Sequence, residues 1–103
     1  MRRGKMYKKS IVLLNKAIAD KLSAIHQYMY FHFHCDDQGY DLLAGLFKRI
    51  AIEEMLHTER LAGRTLFLKC EVEMVPSAEV VKVHEVKNML AKATELEEQS
   101  ILD

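Results

Sequence analysis

The chain has 103 residues, half of them hydrophobic, and its fifteen basic residues balance its fifteen acidic residues. This length indicates one domain, 1–103, and the zero net charge gives no electrostatic reason to expect a nucleic acid or a membrane surface as partner. A domain this small buries a modest fraction of its surface, so we expect it to associate with further copies.

Residues 1–9 are interpreted as a basic N-terminal tail, which is more often solvated than a binding site. The tail contains Arg2, Arg3, Lys5, Lys8 and Lys9. No apolar run reaches membrane-spanning length, and no signal-peptide core follows the basic start. We therefore expect a cytoplasmic protein with no nucleic-acid and no membrane partner.

Long helices are expected because the chain has only one proline and four glycines. The first helix is predicted from about Ser10, as N-cap, to about Cys35. A short polar turn at residues 36–39 then returns the chain, so the second helix, from about Tyr40 to Lys69, is antiparallel to the first.

Residues 71–83 depart from this helical pattern. Pro76 and Ser77 break a helix, and Val80, Val81 and Val83 favour extended backbone. This segment is predicted to be a crossover along the bundle rather than a tight hairpin. A third helix follows from about His84 to the C-terminus, so the predicted fold is all-α with three long helices.

Two cysteines, Cys35 and Cys70, lie near the ends of the first two helices. The helix between them has roughly 30 residues and spans about 45 Å, whereas a disulfide needs Cα atoms about 6 Å apart. We therefore expect two free thiols in a reducing compartment, and two isolated cysteines do not make a metal site.

Glu54 and His57 stand three residues apart on the apolar stripe of the second helix. That stripe consists of Leu43, Phe47, Ile50, Glu54, His57, Leu61 and Leu68. A carboxylate and an imidazole at core-facing positions are costly unless something satisfies them, and a metal ion does so. Glu-x-x-His is also the pair that di-iron helix bundles project inward, although the motif alone is weak.

The other helices each have one ionisable residue on the apolar stripe, Lys21 on the first and Glu97 on the third. The stripe of the third helix consists of Val86, Leu90, Ala93, Glu97 and Ile101. Because these ionisable residues lie near the middle of their helices, they are predicted to meet in a packed bundle. The remaining histidines do not share a face with this site and are expected at the surface or in an interface: His26, His32, His34 and His84.

Four segments of the chain carry a recognisable pattern: Leu14-Asn15-Lys16-Ala17, Ala24-Ile25-His26-Gln27-Tyr28, Ile52-Glu53-Glu54-Met55-Leu56-His57 and Leu66-Phe67-Leu68. Together they resemble the bacterioferritin family of the ferritin-like superfamily. The resemblance extends from about Ile11 to the last residue. It implies a four-helix bundle with a long crossover between the second and third helices. It further implies assembly into hollow shells that oxidise ferrous iron at a di-iron centre and store the ferric mineral.

Position by position, the resemblance implies a role for five residues. Glu54 matches the bridging carboxylate, His57 its imidazole partner and Glu97 the carboxylate ligand of the third helix. Tyr28 matches a tyrosine beside the metals. Met55 matches the methionine that ligates haem b across a two-fold dimer interface, where each subunit donates one sulfur. Oxygen-rich ligation with one imidazole per metal suits iron, and manganese or zinc would fit the same ligands.

Two departures from the family pattern affect the site. Lys21 stands where the family has the glutamate ligand of the first helix, and a charged ammonium cannot coordinate a metal. The sequence also ends at Asp103, where the family continues into a fourth helix with a second Glu-x-x-His. We therefore expect an incomplete four-helix bundle that supplies three of six ligands. A natural short form and a truncated gene product would give the same sequence.

Two functions remain open at this point. The first is a bacterioferritin-like iron-binding protein of the iron storage family, in which a homodimer or larger assembly completes the di-iron site, and ferroxidase activity would require that second subunit. The second is a non-enzymatic helical dimerisation module, bridged by haem at Met55. In that module a cluster of Lys21, Glu54 and Glu97 would replace the metals.

Overall fold

The computed structural model describes residues 8–102, and the side chains of residues 8–99. It contains three helices, α1 (Lys8–Asp37), α2 (Asp41–Phe67) and α3 (Val86–Leu102). The predicted all-α fold with three long helices is confirmed. None of the described helices is both long and apolar enough to cross a membrane.

The start of α1 differs from the prediction. Ser10 lies inside the helix rather than capping it, and Lys8 and Lys9 belong to α1 rather than to the tail. The polar pattern of these three residues did not indicate a helix. They are helical in the structure because lysine and serine are tolerated on an exposed helical face. The rest of the predicted tail lies outside the described residues.

A tight turn joins α1 to α2. Gly39 adopts φ +86°, a left-handed conformation that a residue without Cβ takes at little cost, and the Tyr40 amide donates to the Cys35 carbonyl at 2.8 Å. The helices are antiparallel, as predicted. Phe47, early in α2, packs against Tyr28, in the later part of α1, with ring centroids 6.1 Å apart.

The hydrophobic core lies where α1, α2 and the start of α3 meet. Its buried members are Tyr28, Phe31, Cys35, Ala44, Phe47, Ala51 and Met89. Burial of a side chain such as Phe47 contributes about 1.5–3 kcal/mol. Cys35 and Cys70 are free thiols, the first buried and the second partly exposed.

The face that α3 turns to α1 differs from the prediction by about one residue. Met89 is fully buried and accepts a weak hydrogen bond from the Cys35 thiol, with the sulfurs 3.5 Å apart. Leu90, predicted on the stripe, is 45% exposed. Neighbouring residues on a helix point about 100° apart, so burial of Met89 turns Leu90 towards solvent. The side chain of Ile101 lies outside the described part of the chain.

The segment between α2 and α3 is a crossover that lies along α1. The buried Gln27 side chain donates to the Val81 carbonyl at 2.9 Å and accepts from the Val81 amide at 2.7 Å. Asn15 likewise donates to the Glu71 carbonyl and accepts from the Glu73 amide. The earlier residue of α1 thus bonds to the earlier part of the crossover, and the later residue to the later part. The crossover therefore runs parallel to α1, and the predicted crossover is confirmed.

Candidate functional site

An ion pair joins the middle of α1 to the middle of α2. The Lys21 ammonium lies 3.0 Å from Glu54 Oε2, and His57 Nδ1 lies 3.1 Å from Glu54 Oε1. The Glu54 side chain is 16% exposed and that of Lys21 24%. Both oxygens of this largely buried carboxylate are therefore already in contact with a nitrogen of the same chain.

A second contact joins α1 to α3 near the ion pair. The buried Tyr28 hydroxyl donates a hydrogen bond of 2.8 Å to Glu97 Oε1. Burial is the largest cause that raises the pKa of Tyr28 above its ordinary value, followed by the hydrogen bond to Glu97 and the negative charges of Glu97 and Glu54. The phenol is thus a neutral donor that lies within the field of both carboxylates.

These groups face one groove of about 690 Å³ between the helices and the crossover. Lys21, Tyr28, Glu54 and Glu97 all line it. Its apolar wall is formed by Ala17, Ala24, Leu61 and Leu96. The groove therefore brings together Lys21, Glu54 and Glu97 from the three helices, whereas His57 is not among the residues that line it. Lys21 pairs with Glu54, and Tyr28 donates to Glu97.

His57 is more exposed than its position on the apolar stripe predicts. Its side chain is 47% exposed, and its ring nitrogen contacts Glu54 on the same helix. A helical stripe is broad, and a residue at its edge reaches solvent even when the stripe faces a core. Met55, the predicted haem ligand, is 52% exposed on the surface of α2.

The described residues of one chain do not fit a di-iron group by themselves. Two carboxylates and an imidazole are chemically suitable donors for iron. However, within residues 8–99 no three His, Cys, Asp or Glu side chains lie close enough to hold a metal ion together. The Lys21 ammonium also occupies the Glu54 oxygen that faces α1.

A cluster of rings that the sequence did not predict lies at the other end of α1. Tyr30, His34 and His84 lie in mutual contact there. The histidines were expected at the surface or in an interface, with no contact between them predicted. The four-residue spacing of Tyr30 and His34 places both on one face of a helix, which is a signal in the sequence. Nothing in the sequence indicates that His84 joins them.

Comparison with known proteins supports a single family. Residues 11–102 match the family model described as the ferritin-like domain. A stretch of 56 residues is 54% identical to a bacterioferritin from Desulfovibrio desulfuricans, over 54% of this chain and 31% of the relative.

The fold is also similar to the X-ray structure of the Desulfovibrio desulfuricans bacterioferritin, which shows the diiron site of that protein in different catalytic states. The TM-score is 0.91 at 38% sequence identity, over 96% of this chain and 58% of that chain. The chain thus spans less than two thirds of either relative. The ferritin-like bundle predicted from the sequence is confirmed.

Proposed function

Because this chain belongs to the ferritin-like domain family, we propose that it is an iron-binding protein related to the bacterioferritins, with Glu54, His57 and Glu97 as its metal ligands. The observation that supports this proposal best is that Glu54 and Glu97 line one groove, with the buried Tyr28 hydroxyl close to both. Iron storage, which follows from the family, is the role proposed for the assembled protein.

The site is proposed to be completed by a second copy of the chain. A carboxylate-bridged di-iron site needs one glutamate from each of two helices and Glu-x-x-His from each of two others. Two copies together contain Glu54, His57 and Glu97 twice, which is this set. A symmetric dimer can supply it across its axis. Ferrous iron oxidation is proposed only for the completed site.

Iron stoichiometry tests the proposal. The full chain is loaded aerobically with ferrous iron, freed of excess metal and measured for iron content and mass in solution. We expect about two irons per dimer, as a di-iron site requires. Glu54→Gln and Glu97→Gln should lose most of this iron, whereas the neighbouring exposed Glu53→Gln and Glu98→Gln should retain it. An iron content near zero in the unaltered protein would reject the proposal.

Haem binding at Met55 is a further part of the proposal. The thioether is half exposed on α2, where a second copy could approach it. Addition of haem b should produce a Soret band in the unaltered protein and in the exposed control Met74→Leu, but not in Met55→Leu. A band of equal intensity in Met55→Leu would show that the haem binds elsewhere.

The Lys21–Glu54 ion pair favours a second candidate, a non-enzymatic association module in which the ammonium replaces the metal as counter-charge. An ammonium 3.0 Å from Glu54 supplies the counter-charge for a carboxylate that is largely buried.

Lys21→Glu separates the two functions. If the metal site is latent, this substitution should raise iron binding, because it removes a competing cation and adds an oxygen donor. If the ion pair is structural, the same substitution should lower stability with no gain in iron. Lys21→Gln serves as the control, since it removes the ammonium without adding a charged ligand.

A further inference from the structure

Three rings form a compact cluster where the C-terminal part of α1 meets the end of the crossover. The imidazoles of His34 and His84 are stacked, with ring centroids 4.3 Å apart and an angle of 15° between their planes. The Tyr30 ring lies 4.4 Å from that of His34, and its hydroxyl lies 2.7 Å from His84 Nε2. We call these three residues the aromatic cluster.

The aromatic cluster is separate from the carboxylate groove. His34 lies thirteen residues beyond Lys21 on α1, which corresponds to about 20 Å along the helix. His84 is exposed, and Tyr30 and His34 are partly buried, so an ion in solution can reach all three rings. None of the three lines the groove.

The polar atoms of Tyr30 and His84 have the spacing of neighbouring ligands on a metal ion. A ring nitrogen binds a transition metal at about 2.0–2.1 Å, so two such ligands at a right angle lie about 2.8–3.0 Å apart. The observed separation of Tyr30 Oη and His84 Nε2 is 2.7 Å. When the hydroxyl donates to Nε2, that nitrogen is unprotonated, so its lone pair becomes available to a metal once the phenol proton is displaced.

His34 supplies a further ring nitrogen, and a hydrogen bond to its backbone holds His84 in place. The His34 ring contacts both partner rings, and rotation about its own side-chain bonds would turn a nitrogen towards an ion bound by Oη and Nε2. The Gln38 amide donates to the His84 carbonyl at 2.7 Å, which fixes the backbone of His84 beside α1. This hydrogen bond from Gln38, which is not itself a ligand, limits the movement of His84.

We propose that Tyr30, His34 and His84 form a second metal site, specific for a divalent ion that prefers tetragonal nitrogen and oxygen ligation, and that Cu²⁺ is the ion it binds most tightly. Two imidazoles and a phenolate oxygen in neighbouring positions match this preference. Binding displaces the phenol proton of Tyr30, which passes to solvent.

The test is titration of the full chain with Cu²⁺ in a Cys70→Ser background, because the partly exposed Cys70 thiol would reduce the ion. We expect one tight site per chain, with nitrogen coupling in the electron paramagnetic resonance spectrum and a phenolate-to-copper absorption band. His84→Ala should weaken binding at least tenfold. Tyr30→Phe retains the packed ring and should lose the absorption band.

Matched control variants test where the Cu²⁺ ion binds. His26→Ala and Tyr40→Phe remove an exposed imidazole and an exposed phenol outside the aromatic cluster, so both should bind as tightly as the background protein. Glu54→Gln should also bind normally, which separates this site from the proposed iron site. Equal affinity in His84→Ala and His26→Ala, or an unchanged absorption band in Tyr30→Phe, would overturn the proposal. Circular dichroism of each variant shows that the helices remain folded.

Discussion

The Tyr28 hydroxyl donates a 2.8 Å hydrogen bond to the Glu97 carboxylate and so ties the middle of α1 to α3. Tyr28 is 1% exposed, whereas Glu97 remains open to solvent. The buried phenol therefore depends on this bond more than the carboxylate does, because water can solvate Glu97 but not the Tyr28 hydroxyl.

Tyr28→Phe should lower the free energy of unfolding by about 0.5–1.5 kcal/mol at neutral pH, the net value of such a hydrogen bond. The pKa of Tyr28 is raised on folding, so its stabilisation is fully present below the unfolded pKa of about 10 and is lost as the pH rises beyond it. The difference between the two proteins should therefore shrink in alkali. Urea unfolding as a function of pH measures it. The exposed Tyr40→Phe is the control, and a pH-independent difference would contradict the assignment.

Lys21→Met should destabilise the protein by about 1–2 kcal/mol, because Glu54 would remain largely buried without its counter-charge. The apolar stem of the side chain is kept, so packing changes little. Lys16→Met is the matched control on the same helix. Its pair with Asp20 is 3.5 Å long and exposed, and is worth about 0–0.5 kcal/mol. Equal losses in thermal or urea unfolding would show that burial of the pair is unimportant.

The sequence predicted the helices and the crossover because both follow from local features. Periodic apolar residues define a helix wherever it packs, and Pro76 interrupts that period. The family resemblance was also visible, since the matching residues around Glu54 lie close together in the sequence. Whether Glu54, His57 and Glu97 bind a metal remains a prediction.

The errors arise where two distant segments decide the outcome. Met89 and Leu90 are both apolar, and packing against α1, including Cys35, selects Met89 for the core. The contact between His34 and His84 likewise depends on how far the crossover advances along α1. Periodicity within one helix contains neither piece of information, because both are set by tertiary packing.

Met89→Ala should cost about 2–5 kcal/mol, because it leaves a cavity under α3. Leu90→Ala removes a similar volume from an exposed position and should cost less than about 1 kcal/mol. Urea unfolding followed by far-UV circular dichroism compares the two variants. The opposite order would mean that α3 packs through Leu90, as the sequence pattern predicted.

Gln27→Ala should loosen the crossover, because the amide of Gln27 makes both hydrogen bonds to the backbone of Val81. We expect a loss of about 1–3 kcal/mol, from two hydrogen bonds that contribute about 0.5–1.5 kcal/mol each. Hydrogen exchange should accelerate most at the Val81 amide, which loses its acceptor. Gln99→Ala, at an exposed position of α3, should leave that amide unchanged. Uniform acceleration along the whole chain would instead indicate global destabilisation.

The weak contact between the Cys35 thiol and the Met89 thioether beneath α3 makes Cys35 a probe for detachment of α3. Burial shields Cys35 and raises the pKa of its thiol, so an alkylating reagent meets little thiolate there. Cys70 lies outside this core and is partly accessible, so its modification provides the reference rate. The ratio of the two labelling rates therefore measures how often α3 detaches from the helical pair.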